Sequence, residues 1–133
     1  MIDITGAWTL NSFIRYKGDV PEPAFGTPPS GQIQYTPDGR MSAFLMDPAW
    51  PATGNLQPTP ATEFYAYAGR WHLNGDKVHH FLEFSSLPNQ VGREYTRTVK
   101  VIDDNTIELM TEPDISSSGK VYVSRLIWSR HTS

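Results

Sequence analysis

The sequence has no cysteine. That excludes disulfide staples, thiolate metal sites and cysteine nucleophiles, and it leans towards a reducing compartment. A basic run is also missing. With 11 Lys and Arg against 14 Asp and Glu the formal net charge is −3, so the electrostatic footprint of a nucleic-acid binder is absent. No window approaches the roughly 18 apolar residues that a membrane helix needs, which argues against a membrane partner. The opening MIDITGAWTL has no basic segment followed by an apolar run, so the expectation is a chain without a secretory leader, located in the cytoplasm. No glycine-rich loop leads into a helix to cradle a phosphate, and no serine sits in a nucleophile elbow. No cofactor is therefore expected.

What is present describes one domain spanning residues 1–133, with 38% hydrophobic, 19% charged and 12% aromatic residues. These proportions suit a soluble globular chain with a single core lined by rings. Period-two alternation dominates. It runs through GAWTLNSFIRY, GQIQYT, RMSAFLM, YAGRWHL, KVHHFLEFS, EYTRTVKV, TIELMT and KVYVSRLIWS, giving about eight candidate strands. Thr36-Pro37-Asp38-Gly39, Asn74-Gly75-Asp76 and Asp103-Asp104-Asn105 supply hairpin chemistry between them. Two proline-rich segments, 20–30 and 47–62, read as loops over one end, the second as a lid. After Pro60, ATEFYAYA reads as one or two helical turns. Strands in sequence, joined mostly by hairpins, predict an all-β fold: an up-and-down antiparallel barrel, with a sandwich as the rival. Eight strands leave room for packed side chains or one small ligand.

The residues GAWTLNSF, PSGQIQYTPDGRMSAFLM, YAYAGRWHLNGDKVHHFLEFSSLPNQVG and LIWSR together resemble the bacterial and fungal lipocalin-like domain family, from Gly6 to Arg130. The resemblance implies a calycin-type β-barrel with an apolar interior cavity. It also implies that Gly6-Ala7-Trp8 is the glycine-x-tryptophan signature opening the barrel, with Arg130 packed against that tryptophan. The missing cysteines depart from secreted lipocalins and put an extracellular carrier role in doubt. The family implies no single activity.

Neighbours in a strand point oppositely, so alternation sorts the faces. In KVHHFLEFS, Val78, His80, Leu82 and Phe84 form the apolar face and point inward, while His79 points to solvent. Adjacent histidines that leave opposite faces cannot converge on one ion, and no metal site is expected. The same rule places Ser12, Ile14, Tyr35, Met41, Tyr67, Trp71, Tyr95, Arg97, Val123, Arg125 and Ile127 inside. Two guanidinium groups facing an apolar interior need an anionic or hydrogen-bonding partner, and no carboxylate falls on the inferred inner faces. A ligand carboxylate, enolate or phenolate would supply it, unless each arginine is held by carbonyls at a barrel end.

Two functions compete. One is a carrier that sequesters a small apolar or aromatic, acidic metabolite. The other is a cofactor-free isomerase, cyclase or dehydratase of natural-product type. For catalysis the candidates are His80 and Tyr67 as general acid or base and Arg97 as oxyanion stabiliser. Tyr35, Tyr95, Arg125, Trp71, Met41, Phe84, Trp50 and Ser12 are the candidate ligand contacts. A third reading fills the barrel with its own side chains and leaves Trp50 and Phe25 as surface anchors. The sequence leaves the oligomeric state open.

Overall fold

The structure, a computed structural model, describes residues 3–54 and 63–131. Ten strands form one sheet: β1 (Gly6–Lys17), β2 (Val20–Pro23), β3 (Ser30–Tyr35), β4 (Arg40–Met46), β5 (Phe64–Asn74), β6 (Lys77–Ser85), β7 (Glu94–Asp103), β8 (Thr106–Thr111), β9 (Asp114–Ile115) and β10 (Val121–Arg130). All pairings are antiparallel, and β1 also pairs with β10, so eight strands close into a barrel. The short strands β2 and β9 hang on the rims of β1 and β10. A sandwich is excluded by this closure, which removes the unpaired edges an open sheet would expose. Among the described residues no helix is long and apolar enough to cross a membrane.

The predicted hairpin turns sit together at one end, after β3, β5 and β7. Gly75 takes a φ of 63°, the left-handed conformation that a two-residue hairpin turn requires. This end is closed. Trp8 and Trp128 are fully buried there with Ile4, and the Trp8 indole N–H donates to the Ile4 carbonyl at 2.9 Å. Arg130 covers the Trp8 ring at 4.3 Å and donates to the carbonyls of Thr5 (3.0 Å) and Asp3 (2.9 Å). The arginine expected to pack on the tryptophan does so, and it also satisfies backbone carbonyls at the chain's entry to the barrel.

Alternation predicts the inner faces of β3, β4 and β7, and of β5 and β6 below their bulge, but two strands differ. In β1 the pairing slips between Leu10 and Ser12, leaving Asn11 as an extra residue. An extra residue exchanges the faces of everything beyond it. Trp8 and Leu10 therefore point inward, but so does Phe13, while Ser12 and Ile14 turn out. In β10 the inward set is Ser124, Leu126 and Trp128, so Val123, Arg125 and Ile127 face outward. Arg125 is exposed and lies over the Tyr16 ring at 5.6 Å on the barrel's outer wall.

A second bulge lies in β6. Ala68 pairs with Phe84 and Gly69 with Leu82, so Glu83 is extra and Phe84 is turned outward, 63% exposed. Glu83 meets Arg40 at 2.5 Å and Arg70 at 3.7 Å on the outer surface. Gly69 makes the bulge possible, because a Cβ at that position would lie 1.8 Å from the Phe81 carbonyl oxygen.

The helical turns expected after Pro60 are absent from Phe64 onward, which already belongs to β5; Ala61 and Thr62 lie outside the described residues. Aromatic and alanine side chains paired against Met46, Leu45 and Phe44 of β4 favour the ladder over local helix propensity. The first proline-rich segment is also part strand. Val20–Pro23 pairs with β1, and the chain then turns Phe25 back into the core at a φ of 59°. The tight space at Gly69 makes Gly69→Ala the sharpest test of this bulge: it is expected to lower unfolding free energy in urea by about 3 kcal/mol. A loss under about 1 kcal/mol would show that the backbones need not approach so closely.

Candidate functional site

Towards the end opposite the hairpins the core gives way to a cavity of about 140 Å³. Its walls are apolar where Phe13, Phe25, Ile33, Leu45 and Leu109 meet, and Trp128 adds an indole face. The polar groups come from Tyr65 and Tyr67 on β5, His80 on β6, Tyr95 and Arg97 on β7, and Thr111 on β8. Outside it lies a wider, polar vestibule of about 610 Å³, lined in part by Arg15, Arg93, Glu94, Glu112 and Asp114. The two spaces share Phe13, Tyr95, Arg97 and Thr111 as lining.

His80 is 1% exposed, and both of its ring nitrogens are engaged. Nε2 lies 2.6 Å from the Tyr35 hydroxyl and Nδ1 lies 3.0 Å from the Tyr67 hydroxyl. Burial, reinforced by the Arg97 charge and more weakly by His79, pushes its pKa well below the ordinary value. The imidazole is therefore neutral at pH 7. With both nitrogens taken, a molecule in the cavity meets the polar end of this array at Tyr67. Burial raises the Tyr67 hydroxyl to about 12, against a smaller opposing effect of Arg97, so it keeps its proton. Tyr35 is raised for the same first reason.

A second array runs beside the first. The Tyr65 and Tyr95 hydroxyls are 2.6 Å apart, and Tyr95 donates to Gln90 Oε1 at 2.6 Å. The Tyr95 ring stands edge-on to Tyr67 at 5.3 Å. Tyr95 is raised by burial and by its bond to Tyr65. Arg97 lies over the Tyr95 ring at 4.6 Å, makes a long hydrogen bond, 3.4 Å, to the Thr96 carbonyl, and also bears on the Tyr67 hydroxyl. Among the described residues no carboxylate forms an ion pair with it.

The structure thus brings His80, Tyr67, Arg97 and Tyr95 together on one cavity. Tyr35, Met41 and Trp71 are interior but lie beneath it. Tyr35 and Met41 are buried, and Trp71 packs on Tyr35 at 4.8 Å while donating to the Thr36 carbonyl at 3.0 Å. Ser12 and Phe84 are excluded by the register changes described above, and Arg125 by lying on the outward face of β10. Trp50 sits in a 3-10 turn, Trp50–Thr53, stacked on Phe64 at 4.9 Å and away from the cavity wall. Residues 55–62 of the expected lid lie outside the described residues. His72 and His79 stack at 4.6 Å on the outer wall, and the described residues hold no cluster of three or more metal-ligating side chains.

Sequence reasoning missed Tyr65, Phe13, Thr111 and Trp128 as cavity residues. Tyr65 shares its alternation face with Tyr67, and would have been found had β5 been started two residues earlier. Trp128 would have followed from choosing the β10 face without the arginine. For Phe13 no signal in the sequence announces the bulge at Asn11.

A profile of the lipocalin-like domain matches residues 5–131. The chain belongs to the lipocalin-like domain family. Among solved structures it is similar to a lipocalin-like protein from Bacteroides uniformis, at 14% identity and a TM-score of 0.52, over 96% of this chain and 98% of that one. It is also similar to the uncharacterised protein YLR301w from Saccharomyces cerevisiae, at 13% identity and a TM-score of 0.53, over 92% of this chain and 52% of that one. At such identities the likeness shows the lipocalin-like fold. No curated protein matches the chain.

The neutral, buried His80 has a consequence for stability. Its folded pKa lies below its unfolded one, so the unfolded chain takes up the proton first, and stability falls as pH drops below about 6.5. The slope from this one group is at most about 1.4 kcal/mol per pH unit and ends below the depressed folded pKa. Urea unfolding between pH 7.5 and 5 should show this loss, and His80→Gln, which keeps a donor and an acceptor, should flatten it. An equal slope in the variant would assign the loss to other groups.

Proposed function

We propose that the barrel binds a small aromatic or apolar metabolite bearing an anionic oxygen, with its ring in the cavity and its charged group on Arg97. The observation that carries this reading is the Arg97 guanidinium. It stands where apolar cavity and polar vestibule meet, with a long carbonyl contact and a tyrosine ring but no ion-pair partner among the described residues. A half-buried cation in such a position gains most from a ligand carboxylate, phenolate or enolate. The volume supports one ring, since an apolar cavity of about 150 Å³ holds benzene. Larger substituents would extend into the vestibule.

A catalytic use of the same site is favoured by the hydrogen-bonded series Tyr35–His80–Tyr67 ending at the cavity. Tyr67, protonated at neutral pH, would act as general acid towards a carbonyl or leaving oxygen, and Arg97 would stabilise the oxyanion. Isomerisation, cyclisation or dehydration needs only such proton transfer and shape. Carriage without turnover needs the binding alone, and the array then fixes ligand orientation.

Calorimetric titration with benzoate, benzyl alcohol and toluene tests the binding reading. Benzoate should bind more tightly than toluene, and Arg97→Met should weaken benzoate by about tenfold to a hundredfold, the range for a charge-assisted hydrogen bond, while leaving toluene unchanged. Equal affinity of benzoate and toluene for the unaltered protein would sink the assignment of Arg97 to an anion.

A further inference from the structure

A neutral imidazole has one N–H donor and one bare nitrogen acceptor, so the two tyrosines bonded to His80 cannot play the same part. Tyr35 decides which does what. Its hydroxyl is sealed, the residue being 1% exposed and off the cavity wall, and His80 Nε2 at 2.6 Å is its one hydrogen-bond partner among the described residues. If Nε2 carried the ring proton, the Tyr35 hydroxyl would accept it and its own hydrogen would be left buried without an acceptor. That arrangement costs about 1–3 kcal/mol. The Tyr35 hydroxyl therefore donates to Nε2, the proton of the ring sits on Nδ1, and Nδ1–H donates to the Tyr67 oxygen at 3.0 Å.

Tyr67 then has its own hydrogen unspent. His80 Nδ1 lies at 3.0 Å, the Arg97 guanidinium beside it can only donate to the same oxygen, and the side chain lines the cavity. We infer that the packing of Tyr35 fixes His80 as its Nδ1–H tautomer, so that Tyr67 presents a hydrogen-bond donor to the cavity and the ligand meets it with an acceptor oxygen. This deepens the binding reading proposed above, on which the identity of the ligand rests.

Two further observations point the same way. Trp128 also lines the cavity, and among the described residues its buried indole N–H has no acceptor. The neighbouring array spends its hydrogens internally: Tyr95 donates to Gln90 Oε1, whose amide nitrogen faces Asn89 Oδ1 at 3.4 Å, so Tyr65 donates to Tyr95. The cavity thus offers Tyr67 O–H and the Arg97 guanidinium as donors. The charges bearing on His80 are those of Arg97 and, more weakly, His79, and both oppose a second proton on the ring. A carbonyl, carboxylate or phenolate oxygen matches such a wall, and an ammonium, which has only donors, does not.

Nitrogen-15 NMR of the histidine ring on the unliganded protein reads the tautomer directly. The expected spectrum has His80 protonated at Nδ1 and bare at Nε2, unchanged between pH 8 and pH 6; an Nε2–H tautomer or a charged ring would overturn the inference. Titration with benzaldehyde and toluene reads the donor. Benzaldehyde should bind about tenfold more tightly than toluene, the worth of one good hydrogen bond, and Tyr67→Phe should abolish that preference. Tyr35→Phe, although outside the cavity, should reduce the preference as well and release the Nε2–H tautomer into the spectrum. A merely structural role for Tyr35 would leave both tautomer and preference as they were. Equal binding of the two probes to the unaltered protein would overturn the donor assignment. If neither probe bound while His80 still showed Nδ1–H, the small-aromatic reading would fall and the proton assignment would stand.

Discussion

Everything inside this protein depends on β1 pairing with β10. Until that seam closes there is no interior, and the sheet would expose two long edges and an apolar face. The seam is held where Trp8 and Trp128 pack in the closed end and Arg130 lies across the Trp8 ring. One arginine there joins an aromatic face to two backbone carbonyls that would otherwise end unpaired. The bulge at Asn11 lies in the same seam, and it separates two functions of one strand. Below it, Trp8 and Leu10 fill the closed end. Above it, Phe13 joins the cavity wall and Arg15 the vestibule.

The gradient from packed to open is chemical as well as spatial. Towards the closed end the Trp8 indole turns to the backbone carbonyl of Ile4 and the Trp71 indole to that of Thr36. Midway, Tyr35, His80 and Tyr67 satisfy one another in a region too dry for charge. Among the described residues only Arg97 brings a formal charge to the cavity wall, at the border where the polar vestibule supplies mixed charge. Its presence and the burial of His80 reinforce each other: a low-dielectric site that holds one cation disfavours a second, so the imidazole stays neutral.

The barrel was legible in the sequence because its information is redundant. Eight alternating runs, three hairpin turns and the Gly6-Ala7-Trp8 and Arg130 ends all specify one closed sheet, and an error in any single strand leaves it intact. The site was legible only in part, for the opposite reason. A cavity residue is specified by one side chain's direction, and a single extra residue reverses it. His80, Tyr67, Arg97 and Tyr95 lie on stretches whose pairing stays in register with the closed end or whose neighbours are unambiguous. Ser12 and Phe84 lie beyond bulges. Arg125 lies on a strand whose two faces are both apolar, Val121, Val123 and Ile127 on one and Leu126 and Trp128 on the other. There, alternation offers two solutions and the charge of Arg125 was the better guide.

The bulges that defeat alternation also shape the site. At Gly69 the two backbones come too close for any side chain, and this contact permits the extra residue that turns Phe84 out of the barrel. Removing a phenylalanine from the interior above His80 leaves space that Tyr65, Tyr67 and Tyr95 line with hydroxyl-bearing rings in its place. A strand in perfect register would have pointed that ring inward and filled the space with apolar volume. The departures from regular alternation are therefore where packing gives way to a cavity, and the residues that regular alternation misplaces mark its boundary.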